Sequence, residues 1–135
     1  MTYGTIASKK GFYVGDICYS MYHELYDEFW GDQCGYDDGI HTIPDDSIVP
    51  GTAGFKFAVA STAWGDGTYK DEDGREYPVD AGVIGVLPLE LVNFNYYTDG
   101  GHIFELPGSC EFEEYCGIFK IVLPDGEIVK IDTTD

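Results

Sequence analysis

Short runs of β-branched and aromatic residues, each ended by glycine, proline or aspartate, recur along this chain. Residues 55–63 form one such run, and residues 83–92 form the longest apolar one. Runs of this length and composition favour β-strands, and the turn residues between them favour antiparallel neighbours. The pattern predicts a mainly β fold of the α+β class, built as a strongly bent antiparallel sheet or a barrel-like sandwich, with residues 83–92 as a central strand.

Turn signals divide the rest of the chain. Asp73-Gly74 predicts a hairpin between residues 68–70 and 75–77, and Pro124-Asp125-Gly126 predicts another between 117–123 and 127–131. Further strands are expected within residues 6–19, 102–106 and 109–113, while 32–54 is expected to be a long connection with at most one short strand. A chain of 135 residues is of ordinary size for one domain, so we expect a single domain over residues 1–135.

One segment has helical rather than strand periodicity. Its apolar residues recur at intervals of three and four, while acidic residues occupy the other side; the apolar positions are Met21, Tyr22, Leu25, Tyr26, Phe29 and Trp30. Ser20 can cap the start and Gly31 can end the last turn. This spacing predicts one amphipathic helix near residues 20–31.

The charge of the chain restricts its partners. Seven Lys and Arg stand against 25 Asp and Glu, which gives a formal net charge of -18. Hydrophobic residues still make up 44% and aromatics 16%, so the composition is that of a folded protein rather than an acidic tail. Nucleic-acid phosphates and anionic lipids would be repelled by this surface, and the expected partner is therefore a basic protein surface.

The sequence also bears on location. No stretch approaches the roughly 18 apolar residues that a membrane-spanning helix requires. Lys9 and Lys10 follow the few apolar residues at the start of the chain, and no hydrophobic region comes after them, which is unlike a secretory signal. We therefore expect a cytoplasmic protein without membrane contact, in a compartment where cysteines are reduced.

Four cysteines and three histidines raise the question of a metal. No cofactor is required by any motif, but Cys18, Cys34, Cys110 and Cys116 could supply a structural zinc site, with His23 or His41 replacing one of them. The spacing contains no C-x-x-C pair that would bring two ligands together. Isolated buried or exposed thiols are the alternative interpretation.

No pattern of residues identifies an enzyme. The segment 69–80 superficially resembles a calcium-binding loop, but Tyr69 and Asp80 stand where that loop needs its first ligand and its glutamate. Nucleophile signatures are absent, and we expect no catalytic residues. Asp16, Asp66 and Asp80 could still converge on a hydrolase pocket, although aspartates at such places more often stabilise turns.

Three segments carry a family resemblance, namely Gly15-Asp-Ile-Cys-Tyr19, Gly65-Asp-Gly-Thr-Tyr69 and the run Tyr77-Pro-Val-Asp-Ala-Gly-Val-Ile-Gly85 with Pro88-Leu-Glu-Leu91. In these segments the chain resembles a family of small, acidic, β-rich, uncharacterised proteins of bacteria and phages. Ile17 stands where that family frequently has proline. The resemblance implies a small β-rich scaffold and brings no activity with it. By size, charge and lack of catalytic motifs, the chain also resembles phage anti-CRISPR proteins that occupy nucleic-acid channels.

These observations favour a non-enzymatic inhibitor that binds a basic surface of a nucleic-acid-handling protein, such as a CRISPR RNA-guided nuclease, and blocks nucleic-acid loading. A small zinc-binding or housekeeping domain and an uncharacterised hydrolase are the alternatives. The expected binding residues are acidic clusters with two adjacent aromatic anchors, namely Glu24, Asp27, Glu28, Tyr36, Asp37, Asp38, Asp71, Glu72, Asp73, Glu111, Glu113, Glu114 and Tyr115.

Overall fold

The structure is a computed structural model that describes residues 2–17, 20–22, 24–25, 38–80, 82–94 and 100–134. Eleven β-strands and one short 3₁₀ helix lie within these ranges. The strands are β1 (Thr2–Ser8), β2 (Phe12–Gly15), β3 (Gly39–Thr42), β4 (Lys56–Ser61), β5 (Gly67–Lys70), β6 (Glu76–Val79), β7 (Val83–Pro88), β8 (Gly101–Phe104), β9 (Gly108–Tyr115), β10 (Ile118–Val122) and β11 (Ile128–Asp132), and the 3₁₀ helix is Leu89–Leu91.

The strands form three antiparallel sheets. A four-stranded sheet has the order β1-β9-β10-β11, a five-stranded sheet has the order β3-β4-β7-β2-β8, and β5 pairs with β6 in a separate hairpin. Within the described residues, none of the sheets closes on itself. The mainly β, antiparallel prediction is therefore confirmed, and the arrangement is an open one rather than a closed barrel.

Two apolar clusters flank the five-stranded sheet. The first lies between this sheet and the four-stranded one and includes Ile6, Phe112 and Phe119 from one side and Val14 and Val86 from the other. The second covers the opposite face of the five-stranded sheet and contains Tyr13, Phe57 and Leu87. Because both faces of the five-stranded sheet are covered, all six residues of β7 are buried.

The prediction of a central strand within 83–92 is confirmed. β7 pairs with β2 on one side and β4 on the other, and the chain then turns through the 3₁₀ helix. The two predicted hairpins are also present as β5–β6 and β10–β11. Within the described part of the predicted long connection, one short strand forms, which is β3.

The helix predicted near residues 20–31 is not supported. Met21 forms an antiparallel bridge with Val92, and the Ser20 carbonyl accepts a hydrogen bond from the Asn93 backbone N–H (2.9 Å). Helical backbone begins at Glu24 and Leu25, and the rest of the predicted helix lies outside the described residues. Met21 and Leu25 are both buried in the second apolar cluster, so their spacing of four reflects burial against the sheet and not a continuous helix.

Candidate interaction surfaces

Arg75 connects two hairpins that are distant in sequence. It lies in the β5–β6 turn, where Nη1 contacts carboxylate oxygens of Asp71 and Asp73, each at 3.1 Å. Nη2 reaches Glu127, beside the β10–β11 turn, at 3.3 Å. The guanidinium also lies over the Phe104 ring, 5.1 Å from its centroid. One arginine therefore holds the ends of the two hairpins side by side.

Asp71 is the buried centre of this arrangement, with a side chain that is 1% exposed. Its Oδ1 accepts from the backbone N–H groups of Asp73 and Arg75, both at 2.9 Å, and its Oδ2 accepts from the Tyr77 hydroxyl at 2.7 Å. Burial raises the pKa of the Asp71 carboxyl, but the hydrogen bonds from Tyr77, Arg75 and Asp73 outweigh burial and hold its pKa below the usual value. The carboxylate is thus kept charged inside the fold.

Tyr77 and His102 support Asp71 from the inner side. Burial and then the hydrogen bond to the Asp71 carboxylate raise the pKa of Tyr77, so the phenol stays protonated and can donate. The His102 ring packs edge-on against Tyr77 with centroids 5.0 Å apart, and its Nε2 lies 2.8 Å from the Glu76 carbonyl oxygen. The hairpin is therefore fixed against β8 as well as against the β10–β11 turn.

We call the surface around Arg75 the acidic end. It comprises the β5–β6 and β10–β11 turns, and its carboxylates are Asp71, Glu72, Asp73, Glu76, Asp125 and Glu127. Apart from Asp71 these carboxylates belong to exposed residues. Every ion pair between described residues involves Arg75. The six carboxylates of the acidic end outnumber Arg75 and the two lysines, Lys70 and Lys130, that line the cavity beside Asp71 and Glu72.

A second surface is the solvent-facing side of the four-stranded sheet, which we call the outer face. Residues alternate between core and solvent along β9, with Cys110, Phe112 and Glu114 buried and Glu111 and Tyr115 exposed. The strand register aligns Tyr3, Glu113, Lys120 and Lys130 in one row across all four strands. Glu111 and Tyr115 lie in the rows on either side, so three of the predicted binding residues share this face.

Large apolar side chains accompany the charges of the outer face. Tyr3 is 56% exposed, Tyr115 61% and Ile128 49%. The Tyr3 hydroxyl donates to Glu111 Oε1 at 3.2 Å, and this contact with a carboxylate raises the pKa of the Tyr3 phenol. The face is therefore a mixture of exposed aromatic, aliphatic and charged groups.

Two predicted binding residues have other roles. Asp71 holds the β5–β6 turn, as described above. Glu114 points into the core, where its Oε2 accepts from the Gly117 backbone N–H at 2.9 Å and closes the β9–β10 turn. The cluster predicted over residues 111–115 is thus divided between two sides of one strand, because side chains alternate along it.

The remaining predicted binding residues are dispersed. Glu72 and Asp73 are exposed at the acidic end, and Glu24 is exposed at the start of the short helical segment. The carboxylate of Asp38 accepts from the Ser61 backbone N–H and hydroxyl, at 3.0 and 3.1 Å, at the end of β4. Asp27, Glu28, Tyr36 and Asp37 lie outside the described residues.

The four-cysteine zinc site meets a geometric obstacle. Cys110 is buried within β9, whereas Cys116 is exposed in the turn that follows it. A strand rises about 3.3 Å per residue, so the five strand steps from Cys110 to Tyr115 span about 16 Å, and one zinc ion cannot reach both Cys110 and the residue after Tyr115. His41 stacks on Phe57, with ring centroids 5.2 Å apart. Among the described residues no group of three His, Cys, Asp or Glu is arranged to hold a metal. Cys18, Cys34 and His23 lie outside them.

Of the three aspartates considered for a hydrolase pocket, Asp16 connects two segments that are distant in sequence. Asp16 is buried, and its Oδ2 accepts from the Asp80 backbone N–H at 2.6 Å. Asp66 lies beside Gly82, so described residues of all three segments that carry the family resemblance are joined by local contacts. Two open cavities, of about 500 and 450 Å³, are lined by Thr68–Glu72 with Lys130 and Asp132, and by residues of β1 and of the segment 53–56. Neither of these cavities includes Asp16, Asp66 or Asp80.

Several residues of these surfaces were not anticipated from the sequence. Arg75 and Glu127 are 52 positions apart, and only the fold brings them together. Lys120 and Lys130 join the outer face through the register of β10 and β11. The alternation of β9 alone would have placed Glu114 on the opposite side from Glu111 and Tyr115.

Comparisons with protein-family models, with curated proteins and with solved structures give no significant match to this chain. The resemblance drawn from the three sequence segments therefore stays a prediction. No helix among the described residues has the length and apolar character needed to cross a membrane.

Proposed function

We propose that this protein is a non-enzymatic inhibitor that binds a basic surface of a nucleic-acid-handling protein, such as an RNA-guided nuclease, and prevents nucleic acid from loading there. The observation that carries this proposal is the acidic end. Arg75 gathers carboxylates from two hairpins, and the carboxylates beyond its reach are left facing solvent. The net charge of -18 extends the same negative potential over the molecule.

Charge of this kind acts first on the rate of encounter. A negative surface steers a basic partner toward it and raises the association rate, most strongly at low ionic strength. A groove that binds the phosphates of nucleic acid is lined with Lys and Arg, and an acidic protein seated in that groove excludes its substrate. The anchoring of the two turns by Arg75 supports this role, because the backbone that carries the exposed carboxylates is already ordered before binding.

The test uses purified nucleic-acid-handling proteins, with RNA-guided nucleases first, and labelled target DNA. The wild-type protein is expected to displace the DNA from at least one of these proteins, as measured by fluorescence anisotropy. A Glu72→Lys/Asp73→Lys variant should associate with that protein roughly tenfold more slowly and show a weaker salt dependence.

A charge-matched control is available at Asp45 and Asp46, which are exposed in the turn after β3. The Asp45→Lys/Asp46→Lys variant changes the net charge by the same amount and should retain most of the wild-type association rate. If both variants are slowed equally, net charge rather than the acidic end governs binding. If the wild-type protein displaces DNA from none of the proteins tested, the proposed function is wrong.

A further inference from the structure

The outer face carries charges of both signs in a fixed order. In its central row, Tyr3 and Glu113 occupy β1 and β9, whereas Lys120 and Lys130 occupy β10 and β11. One half of the row is therefore aromatic and acidic, and the other half is basic. The whole chain has only seven Lys and Arg, and two of them, Lys120 and Lys130, are neighbours in this row.

Lys120 and Lys130 are directly opposite each other on neighbouring strands. Like charges in this position repel and destabilise a sheet by a small amount. Neither lysine forms an ion pair with another described residue. Glu113 lies beside Lys120 on β9, and Lys130 helps to lower the pKa of the Asp132 carboxyl, so nearby carboxylates offset part of this repulsion. Negative charge supplied by a partner over these two strands would offset more of it.

The rows beside the charged one are partly apolar. Tyr115 lies opposite Ile118 in one row, and Val122 lies opposite Ile128 in the other. Tyr115 and Ile128 are exposed, and Ile118 and Val122 are half-buried. The flanking rows thus add apolar contact area beside the charged centre, and each also carries one carboxylate, Glu111 in the row of Val122 and Asp132 in the row of Ile118.

This order is self-complementary. Two copies can be related by a two-fold axis that runs parallel to the strands, midway between β9 and β10. The rotation places Glu113 over Lys120 of the second copy, Tyr3 over its Lys130, and Tyr115 over its Ile118. Each contact occurs twice, as two-fold symmetry requires. The central four charges then alternate in sign, and a lysine faces an aromatic ring on either side of them.

We propose that the outer face is the interface of a homodimer, in which the four-stranded sheets of two copies pack face to face. Sheets pack in this way with strands aligned to within about 30°, so the central row stays in register. A wholly basic partner surface fits less well, because it would oppose Lys120 and Lys130. The proposal does not depend on the proposed function, and its experiment involves no other protein.

The test is the mass of the protein in solution, measured by sedimentation equilibrium in 0.15 M salt from micromolar to near-millimolar concentration. A face only four strands wide belongs to the smaller, weaker class of interfaces, so this range is needed. The wild-type protein should approach the mass of a dimer as concentration rises. A monomer throughout the range would overturn the proposal.

Two variants give the decisive comparison. Glu111→Lys/Glu113→Lys makes the central row and the row beside it positive, and Lys120→Glu/Lys130→Glu makes the central row negative. Each alone should dimerise at least roughly tenfold more weakly than the wild type, whereas an equimolar mixture of the two should form a heterodimer. The charge-matched control is Lys9→Glu/Lys10→Glu, in the exposed β1–β2 turn. This variant keeps the outer face unchanged and should therefore dimerise as tightly as the wild type. If the mixture associates no better than the separate variants, another surface mediates association and the proposal fails.

Discussion

The hydroxyl of Tyr77 donates a 2.7 Å hydrogen bond to Oδ2 of Asp71, the oxygen that Arg75 also contacts. The backbone of Asp71 also forms an antiparallel β-bridge with Ile131, at the edge of the four-stranded sheet. Asp71 therefore connects the β5–β6 hairpin to the rest of the fold through both backbone and side chain. Substitutions in this network should affect stability, while substitutions of exposed carboxylates around it should not.

Removing the Tyr77 hydroxyl tests whether the hydrogen bonds to Asp71 stabilise the fold. Tyr77→Phe keeps the buried ring and deletes one donor to a buried carboxylate, so it should lower the free energy of unfolding by about 1–3 kcal/mol. Urea denaturation measures the difference. Tyr115→Phe removes a hydroxyl from an exposed ring and should change stability by less than about 0.5 kcal/mol. Equal stabilities for the two variants would contradict the assigned role of Tyr77.

The charge of Asp71 predicts a pH dependence. Its pKa in the folded protein is lower than in the unfolded chain, where a carboxyl titrates near about 4, so the folded state favours the charged form. The stabilisation is therefore fully present above pH about 5 and is lost as pH falls through the folded pKa. Asp71→Asn should be less stable than wild type at pH 7, and the gap should narrow below about pH 4.

This pH profile needs a matched control. Glu72→Gln neutralises the adjacent carboxylate, which belongs to an exposed residue, and should leave the acid limb of the stability curve close to that of wild type. Thermal unfolding followed by circular dichroism between pH 3 and 7 would provide both curves. A gap between Asp71→Asn and wild type that stays constant across this range would show that the carboxylate charge is not the cause.

The parts of the fold that could be predicted are those set by local patterns. The central strand β7 was recognisable because it occupies the first part of the apolar run 83–92, and such a run needs both faces covered. The β5–β6 and β10–β11 hairpins follow from turns in which Gly74 and Gly126 adopt positive φ. In each case the residues that determine the structure are close together in sequence.

Residues 20–31 show where local patterns fail. The spacing of Met21 and Leu25 fits a helix, but the backbone at Met21 pairs with Val92, about seventy positions further on. Apolar residues of an extended segment can also pack into the core. The local sequence does not show which distant segment such a stretch will pair with. Tertiary pairing decided the conformation at Met21.

The surfaces were predictable only in part for the same reason. The alternation of β9 is enough to place Glu111 and Tyr115 on one side and Glu114 on the other. By contrast, the pairing of Lys120 with Lys130 depends on the register of two strands, and the contact of Arg75 with Glu127 depends on how two hairpins are packed. Such relationships between distant residues require the fold.

Two glycines with similar backbone conformations offer a test of packing at the β9–β10 turn. Gly117 and Gly126 have φ values of 86° and 89°, so alanine is strained at both by about 1–2 kcal/mol. A methyl group at Gly126 would enter open space, whereas one at Gly117 would crowd Ala63 and Thr133 at 2.8 and 2.9 Å. Gly117→Ala should therefore lower the free energy of unfolding by at least about 1 kcal/mol more than Gly126→Ala. Denaturant unfolding of the two variants would decide this, and equal losses would show that the turn tolerates the added methyl.

The two described cysteines should differ in reactivity. Burial, followed by the nearby Glu111 carboxylate, raises the pKa of Cys110 to about 12, so almost none of this thiol is ionised at pH 8, whereas Cys116 is exposed in a turn. Iodoacetamide should alkylate Cys116 in the folded protein and reach Cys110 only after denaturation, and peptide mass spectrometry would identify each site. Cys116→Ser should abolish the labelling in the 110–116 region of the folded protein, while Cys110→Ser should leave it intact. If Cys110 were instead labelled as rapidly as Cys116 without denaturant, β9 would have to open to solvent far more often than its buried, fully paired position implies.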